Sequence, residues 1–475
     1  MNWKKNTIFL FSVIICCIPI FLTFNKGINY FDEGFMIEGA RRIGAGEVPY
    51  RDFSLIYTPG SLYLLALMFR IYGQYVIVER LAVALVSIIG VIFLGLLTRK
   101  LTKNILLTFL AMLIYTMWGP AHLNFFWPVM CIVPLLFVYL FFIHKHHLFL
   151  SGVVAALILL CKQNFGAAVV ISLLCYLVFA CYSKQQILMI CFGYASVIAL
   201  FMVHLLVTHS FAPFFTDINK YTIQAILLQK AFSVPFPAQS IGKFALYAFP
   251  GIASFIMCIW LMVQKKAKSL LFIPLTLLAI YLFGIFPTPD WMHLTPLISM
   301  TGILFVLLPH IFGKRARFIS YLLMFCIICA ALYSLLIRNY YRWEAPLIKH
   351  THCFSFGRMK YMCIDEKNYA VITQTLASIK KEAVKDTYIF AFYNNPIYYF
   401  LTQKNNPTRY FDFNFPVGTK EENNVVKQLR QKKIAIIITR FSLLESQSKI
   451  IGAYIEKNYV PIKGVYEFTV WKKKN

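Results

Sequence analysis

The chain has 475 residues, of which 59% are hydrophobic and only 14% are charged. Its mean hydropathy is +0.67, well above the range of water-soluble domains, so an ordinary soluble protein is excluded and a polytopic membrane protein is predicted. The formal net charge of +27 does not indicate nucleic-acid binding, because the basic residues alternate with apolar segments and are explained by orientation in a bilayer.

Eleven apolar segments are predicted to cross the membrane, which makes the fold mainly α, a transmembrane helical bundle. The first resembles an uncleaved signal-anchor, because no small-residue cleavage site follows it. The predicted spans are residues 6–24, 76–97, 105–118, 125–143, 148–161, 165–182, 187–207, 244–263, 270–286, 294–311 and 318–337. The third and fifth are shorter than the roughly 20 residues that a perpendicular helix needs.

Charge predicts the orientation of these spans. Alternate connections carry only basic residues, and by the positive-inside rule that face is cytoplasmic. The basic residues are Lys4, Lys5, Arg99, Lys100, Lys103, Lys145, Lys184, Lys265, Lys266, Lys268, Lys314, Arg315 and Arg317. The opposite face holds every acidic residue before Glu344, namely Asp32, Glu33, Glu38, Glu47, Asp52, Glu79, Asp217 and Asp290. An odd number of spans then places the C-terminal part outside the cytoplasm.

Two domains are predicted from a shift in composition. Residues 1–337 form the membrane domain, with a first outer loop at residues 25–75, and residues 338–475 form a small extracytoplasmic α/β domain. In the second domain, helices are predicted at residues 369–383, 421–432 and 446–458, and strands at 387–392, 434–439 and 465–471. Because helices and strands alternate, a largely parallel sheet is favoured. Gly60 to Tyr72 is apolar but short, and is predicted to lie in or near the membrane interface.

The chain has twelve cysteines, ten of them in predicted spans, where a free thiol behaves as a small apolar residue. Cys353 and Cys363 lie outside the spans. An oxidising exterior would let these two pair and fix the junction between the membrane and soluble parts, although two nearby thiols also can remain free. No spacing of Cys or His residues indicates a zinc site.

Polar clusters on the predicted outer face carry whatever chemistry the chain performs. They are the acidic first loop, Lys162-Gln-Asn-Phe-Gly166, the connection from Thr208 to Lys243, and Pro287-Thr-Pro-Asp-Trp-Met-His293. Lys162 closes a short apolar segment, where a charge in midspan would cost about 2.5–3.5 kcal/mol, so it must reach water or a partner. It either snorkels to the interface or binds a ligand.

Several of these segments together resemble a known family. Asp32-Glu-Gly, Gly46-Glu-Val-Pro-Tyr-Arg-Asp-Phe, Thr58-Pro-Gly-Ser-Leu-Tyr, Tyr72-Gly and Glu79-Arg-Leu look like the first outer loop of the C-type (GT-C) glycosyltransferases. The resemblance is to protein mannosyltransferase and aminoarabinose transferase-like enzymes, which use polyprenyl-phosphate sugars. Internal motifs of bacterial members are matched by Lys162-Gln-Asn-Phe-Gly and Pro289-Asp-Trp-Met-His-Leu, and their outer C-terminal domain by Pro396-Ile-Tyr-Tyr-Phe-Leu-Thr and Asn406-Pro-Thr-Arg-Tyr.

The resemblance implies an inverting sugar transfer from a lipid-phosphate donor to a cell-envelope acceptor, which would be a glycolipid such as lipid A, a polysaccharide or a protein. It implies a bacterial inner-membrane enzyme with its active site and C-terminal domain facing the periplasm or exterior. A carboxylate of the first loop would take the proton of the acceptor hydroxyl, which contributes about 10²–10⁴-fold to the rate. Cationic side chains would stabilise the departing phosphate.

The resemblance assigns the base role to Asp32, with Glu33 as the second choice. The alternative is that both acids are solvated or cap the following helix. The candidate residues for donor or acceptor binding are Arg51, Asp52, Arg80, Lys162, Gln163, Asp290 and His293. Asp52 can equally form an ion pair with Arg51, and Arg80 and the weaker candidate Arg70 can anchor at the interface.

Asp290 and His293 are three residues apart, so a helical turn would place both on one face. The pair would bind the donor or the acceptor, or form only a hydrogen bond between its two members. It is also half of a divalent-metal site, so a divalent metal stays an alternative although no further ligand accompanies the pair. Trp118, Trp127 and Trp291 are interpreted as interface anchors, with stacking on sugar rings as the alternative. Arg409 is interpreted as a surface residue or a contact between the two domains.

Two other functions remain as alternatives. A transporter or lipid flippase would need polar groups at mid-bilayer or broken helices in two symmetric halves, and neither is evident in this sequence. A non-catalytic membrane scaffold that presents the outer domain would leave the crowded first loop without a purpose.

Overall fold

The computed structural model describes residues 3–180, 182–228, 241–263, 270–284, 291–313, 315–337, 346–383, 387–393, 395–410, 418–440 and 448–474. Helices dominate the first 337 residues, and strands occur only in the last third of the described chain. The helices of the first part are α1 Trp3–Thr23, α2 Asp32–Gly44, α3 Gly60–Tyr72, α4 Val76–Thr102, α5 Ile105–Trp118, α6 Pro128–His144, α7 Leu148–Cys161, α8 Gln163–Ala180, α9 Lys184–Val207, α10 Phe211–Leu228, α11 Ile241–Val263, α12 Phe272–Ala279, α13 Trp291–Phe312 and α14 Ala316–Leu336.

Each of the eleven predicted spans overlaps a described helix, although the helix of the fourth span begins only at Pro128. By length and composition, four helices of the described part of the chain can each cross a membrane, namely α1, α4, α9 and α14. Helices α5 and α7 have 14 residues each, fewer than the roughly 20 that a perpendicular span needs. The chain is therefore a multi-pass membrane protein, while the number of crossings and their direction stay predictions.

Helices α7 and α9 approach each other through glycines. A Cβ atom at Gly152 of α7 would lie 2.1 Å from the carbonyl oxygen of Ile190, and one at Gly193 of α9 would lie 2.1 Å from that of Phe149. Small residues let helix backbones come together where lipid gives no hydrophobic reason to associate. The same close approach recurs at Gly60, where a Cβ would lie 2.6 Å from the carbonyl oxygen of Leu160, so α3 is seated against the end of α7.

The segment predicted as the first outer loop, residues 25–75, contains two helices, α2 and α3, and its place outside the membrane stays a prediction. Acidic residues in the first turn of α2 and basic residues in its last turn complement the helix dipole. Glu38 pairs with Arg41 at 2.6 Å, and Arg42 pairs with Glu47 at 2.6 Å. These short-range pairs stabilise a helix whose apolar residues are too few to reveal it in the sequence.

The C-terminal part is an α/β unit, as predicted, but its sheet is mixed rather than largely parallel. Its helices are α15 Glu366–Glu382, α16 Ile397–Thr402, α17 Thr419–Gln431 and α18 Lys449–Asn458, and its strands are β1 His352–Cys353, β2 Cys363–Ile364, β3 Phe390–Phe392, β4 Ile436–Arg440, β5 Tyr459–Val465 and β6 Phe468–Lys473. The four-stranded sheet has the order β3-β4-β6-β5. Only β3 and β4 are parallel, because the final two strands form an antiparallel hairpin.

The C-terminal part packs directly on α2. A Cβ atom at Gly34 would lie 2.5 Å from the backbone nitrogen of Ile397, so α16 touches the backbone of α2. Tyr30 donates a hydrogen bond to Asn368 at 2.8 Å, and its ring packs against Tyr398 and Phe468. One apolar core therefore continues from the membrane helices into the sheet.

Cys353 and Cys363 form a disulfide across the small β1–β2 ladder. The other described cysteines are free thiols. The pairing that the sequence left open is thus present in the structure, and it lies at the junction between α1 and the C-terminal part.

Candidate active site

The start of α2 presents Asp32 and Glu33 in different surroundings. The side-chain oxygen of Asn29 accepts hydrogen bonds from the backbone nitrogens of Phe31 and Asp32 at 3.1 and 2.9 Å. The amide nitrogen of Asn29 donates to the Asp32 carboxylate at 3.2 Å. Asp32 is half-buried, whereas Glu33 is fully buried. Asn29 therefore fixes the turn that carries the more accessible of the two acids.

Glu33 is held by Arg80, which is also fully buried. The guanidinium has five N–H donors, and five acceptors surround it. Nε and one terminal nitrogen donate to the two oxygens of Glu33, each at 2.8 Å. The remaining donors reach the carbonyl oxygens of Lys26 and Gly27, at 3.3 and 3.2 Å, and the side-chain oxygen of Asn124. Arg80 is thus saturated by the protein itself in this structure.

The connection between α5 and α6 completes this network. The side chain of Asn124 donates to the carbonyl oxygens of Thr23 and Lys26 at 2.6 and 2.8 Å. Glu79 accepts a hydrogen bond from the backbone nitrogen of Phe126 and lies 3.1 Å from Arg80. Sequence reasoning missed Asn124. The signal was available, because it is a polar residue between two apolar segments on the predicted outer side.

Lys162 lies at the end of α7 and is almost completely buried, with 3% of its surface exposed. Its ammonium group lies over the rings of Trp127, Tyr57 and Phe165, at 4.8, 4.9 and 5.5 Å from their centroids. Aromatic faces stabilise a cation most strongly when water is excluded. The structure therefore buries a positive charge among aromatic rings, and it does not place Lys162 at an open interface.

Gln163 joins the first outer segment to the turn after α7. Its side chain accepts a hydrogen bond from the backbone nitrogen of Thr58 at 3.3 Å and donates to the carbonyl oxygen of Ile56 at 3.0 Å. Thr58 in turn donates from its hydroxyl to the carbonyl oxygen of Leu159 at 2.6 Å. Gln163 therefore holds the backbone of Ile56 and Thr58 beside Lys162.

Arg51 and Asp52 form an ion pair at 2.8 Å, and both are partly exposed. The Asp52 carboxylate also accepts a hydrogen bond from the backbone nitrogen of Val48 at 2.7 Å. The hydrogen bond from Arg51 lowers the pKa of Asp52 and the backbone bond adds to this, so the carboxylate is a weak base. Arg70 is exposed near the end of α3, consistent with an anchoring residue.

Asp290 lies outside the described residues. His293 lies in α13, but its side chain is not described, and their predicted pairing stays a prediction. Among the residues that the structure describes, no group of three or more His, Cys, Asp or Glu side chains is arranged to hold a metal ion.

An apolar cleft opens beside this site, between α3, α7 and α9. Its volume is about 310 Å³, and its lining includes Gly60, Tyr63, Leu160, Phe201 and His204. The only polar pair described in its wall is Tyr63 with His204, joined by a hydrogen bond of 2.7 Å. Leu200, also in the lining, is 73% exposed on the outer side of α9, so the cleft is open on the surface that a bilayer would cover.

Contacts link these parts into one site. Phe35 of α2 packs against Tyr57, whose ring faces Lys162. Trp127 also faces Lys162 and follows Phe126, which is bonded to Glu79. The structure thus connects Asp32, Glu33, Arg80, Lys162 and Gln163 through a few contacts, with Arg51 and Asp52 further out. The described residues thus bring together a half-buried carboxylate, a buried lysine and an apolar cleft.

The fold defines a class of protein. The chain is similar to ArnT from Cupriavidus metallidurans bound to undecaprenyl phosphate, with a TM-score of 0.58 and 11% identity over 99% of this chain and 98% of that one. The apo form of the same protein gives a TM-score of 0.55 and 12% identity over 98% and 97%. The predicted resemblance to GT-C glycosyltransferases is thereby confirmed at the level of the fold.

A weaker similarity is to the oligosaccharyltransferase of Archaeoglobus fulgidus, with a TM-score of 0.49 and 10% identity over 94% of this chain and 71% of that one. No protein-family model matches the sequence, and no curated protein matches it.

Proposed function

We propose that this chain is an integral-membrane glycosyltransferase that takes a sugar from a polyprenyl-phosphate-linked donor. The observation that carries the proposal is the fold shared over nearly the full length of both chains with ArnT, a protein solved with undecaprenyl phosphate. The apolar cleft supports it, because a polyprenyl chain needs a groove open to the bilayer. Leu160 lines the cleft two residues before the buried charge of Lys162, so a lipid chain in the cleft would bring its phosphate toward that charge.

Asp32 is the general base in this proposal. The acceptor hydroxyl oxygen attacks the anomeric carbon while the bond from that carbon to the phosphate oxygen breaks. The hydroxyl proton passes to Asp32, and the bonding electrons leave with the polyprenyl phosphate, which inverts the anomeric centre. Asp32 suits this role because it is half-buried at the start of α2, whereas Glu33 is buried and bound to Arg80 at both oxygens.

Arg80 and Glu33 position the start of α2, and Lys162 supplies positive charge for the departing phosphate. A fixed cation in a water-excluded site stabilises developing negative charge more than the same cation in water. Arg51 and Asp52 lie further out and contact the acceptor, which is a cell-envelope molecule. The basic connections face the cytoplasm by the positive-inside rule, so the site and the C-terminal part face outward.

The test is sugar transfer by the purified protein from a panel of synthetic polyprenyl-phosphate sugars, with Asp32→Asn as the decisive variant. We expect Asp32→Asn to lower kcat by about 10²–10⁴-fold. Glu366→Gln is the matched control, because Glu366 is also a first-turn carboxylate of a helix but is exposed in the C-terminal part. Full activity of Asp32→Asn would remove the base assignment, and donor-independent movement of lipid across vesicles would instead support a transporter.

A further inference from the structure

The backbone from Asn25 to Gly27 lies between the disulfide and the candidate active site. On one side it pairs with β2, because the nitrogen of Cys363 donates to the carbonyl oxygen of Asn25 at 2.8 Å and Gly27 donates to that of Cys363 at 3.0 Å. The side chain of Asn25 also donates to the carbonyl oxygen of Tyr361 at 3.1 Å. The disulfide-closed loop therefore holds the end of α1 through its backbone.

On its other side, the same backbone supplies acceptors to Arg80. The carbonyl oxygens of Lys26 and Gly27 take two of the five guanidinium donors, at 3.3 and 3.2 Å. Asn124 donates to Lys26 as well, at 2.8 Å. The position of Arg80, and with it that of Glu33, depends on where this segment is held.

The disulfide-closed loop, residues 353–363, makes a second contact that leads to α2. Arg358 donates to the carbonyl oxygen of Phe400 at 3.1 Å, and its guanidinium lies 4.6 Å from the Phe400 ring centroid. Phe400 belongs to α16, the helix that touches α2 at Gly34. The loop thus braces the start of α2 from both ends, through residues 25–27 before it and through α16 beside it.

We propose that the Cys353–Cys363 disulfide is a redox-sensitive device that positions the carboxylate at the start of α2. This proposal rests on the proposed function only for its effect on rate. The β1–β2 ladder pairs just two residues of each strand, and a ladder this short is not stable without a covalent link or further strands. Opening the disulfide releases the loop, loosens residues 25–27 and α16, and lets Asp32 move away from its working position.

The chemistry is thiol–disulfide exchange with a small dithiol. A thiolate of the dithiol attacks one sulfur of the bond, the other sulfur leaves as a thiolate and is protonated, and a second attack completes reduction. The protein gains two electrons and two protons, and the dithiol becomes a disulfide. Cys353 is exposed, which makes it the accessible point of attack.

The experiment reduces the folded wild-type protein in detergent or nanodiscs with dithiothreitol, so that no folding step is involved. Hydrogen exchange and sugar transfer are then followed in parallel. We expect faster exchange in residues 25–34 and about a tenfold fall in kcat with the donor KM unchanged, both reversed on reoxidation. The α7–α9 contact around Gly152 serves as an internal reference that should not change.

The matched control is the double variant Cys353→Ser with Cys363→Ser. It should show the reduced-state exchange and rate whether or not dithiothreitol is present, which separates this disulfide from the free thiols of the described chain. Unchanged exchange and rate on reduction of the wild type would overturn the proposal. If the wild type transfers no sugar at all, the proposed function fails, and the exchange at residues 25–34 alone decides the role of the disulfide.

Discussion

Asp32 and Glu33 are adjacent in sequence, but partners distant along the chain give them separate roles. Their presence in an acidic segment on the predicted outer face could be predicted from sequence. The sequence analysis gave Arg80 as a ligand-binding residue or an interface anchor, and anchoring is wrong, because Arg80 is fully buried and bound to Glu33. The sequence did not predict which of the two carboxylates is accessible. This depends on Arg80 and Asn124, which come from other helices and connections. Lys162 was predicted either to snorkel to the interface or to bind a ligand. Snorkelling is wrong, because its ammonium group is buried among aromatic rings, and ligand binding stays a prediction.

The carboxylate of Asp217 forms a contact between α10 and the C-terminal part that is expected to depend on pH. Its carboxylate, 5% exposed, accepts a hydrogen bond from Arg409 at 2.8 Å. Burial raises the pKa of Asp217 from 3.8 to about 6, with Arg409 opposing the rise. The folded state therefore binds this proton more tightly than the unfolded state, so this group's contribution to stability is present below pH 4 and is lost as pH rises through 6.

We predict that the difference in Tm between wild type and Asp217→Asn changes with pH between 4 and 6 in that direction. Wild type should lose stability relative to Asp217→Asn as pH rises across this window, because the variant has no group to titrate there. The measurement is thermal unfolding of both proteins in one detergent at half-unit steps of pH. A difference that grows the opposite way would show that Arg409 outweighs burial and holds the pKa low.

At the scale of elements, the apolar helices could be placed from sequence because long apolar segments have few other structures open to them in a membrane. The bounds of α2 could not be derived from an apolar stripe, because ion pairs and contacts with the C-terminal part stabilise this helix. β5 was missed because Tyr459–Val465 is mostly exposed and contains Pro461 and Gly464, which are poor strand residues. Strand β5 forms an antiparallel hairpin with β6. The prediction of a largely parallel sheet was wrong for this reason.

The glycine contact between α7 and α9 allows a direct test of helix packing. We predict that Gly193→Ala lowers stability by about 1–3 kcal/mol, since its Cβ would lie 2.1 Å from the backbone oxygen of Phe149. Gly464→Ala is the control, because a Cβ there meets nothing within 4 Å. Thermal unfolding in detergent measures both, and equal Tm values for the two variants would contradict the close approach.

At the scale of the whole molecule, the C-terminal part does more than follow the membrane helices. It contributes α16 beneath α2, Tyr398 and Phe468 against Tyr30, and Arg409 to Asp217. The sequence analysis left open whether Arg409 contacts the membrane part, and the structure shows that it does. These contacts favour a supporting role for the C-terminal part, which would hold the helix that carries the candidate base. Composition alone did not indicate this role.

We predict that Gly34→Ala reduces sugar transfer by about 10²-fold, the size of effect that a displacement of about 1 Å causes at a catalytic group. Its Cβ would lie 2.5 Å from backbone of Ile397, so α16 or α2 must shift. Gly44→Ala in the same helix is the control, since its Cβ would meet only the end of the Gln74 side chain at 3.7 Å. Equal rates for the two variants would show that α16 does not set the position of α2.

The contact between Gly34 and Ile397 also orders events during synthesis of the chain. The ribosome adds 363 residues between these two positions, which takes roughly 20–70 s at about 5–20 residues per second. For all of that time α2 is without the contact that Ile397 makes at Gly34. A nascent chain would therefore carry its acidic turn long before it could use it, and activity would begin only when the last quarter of the polypeptide has been made and folded.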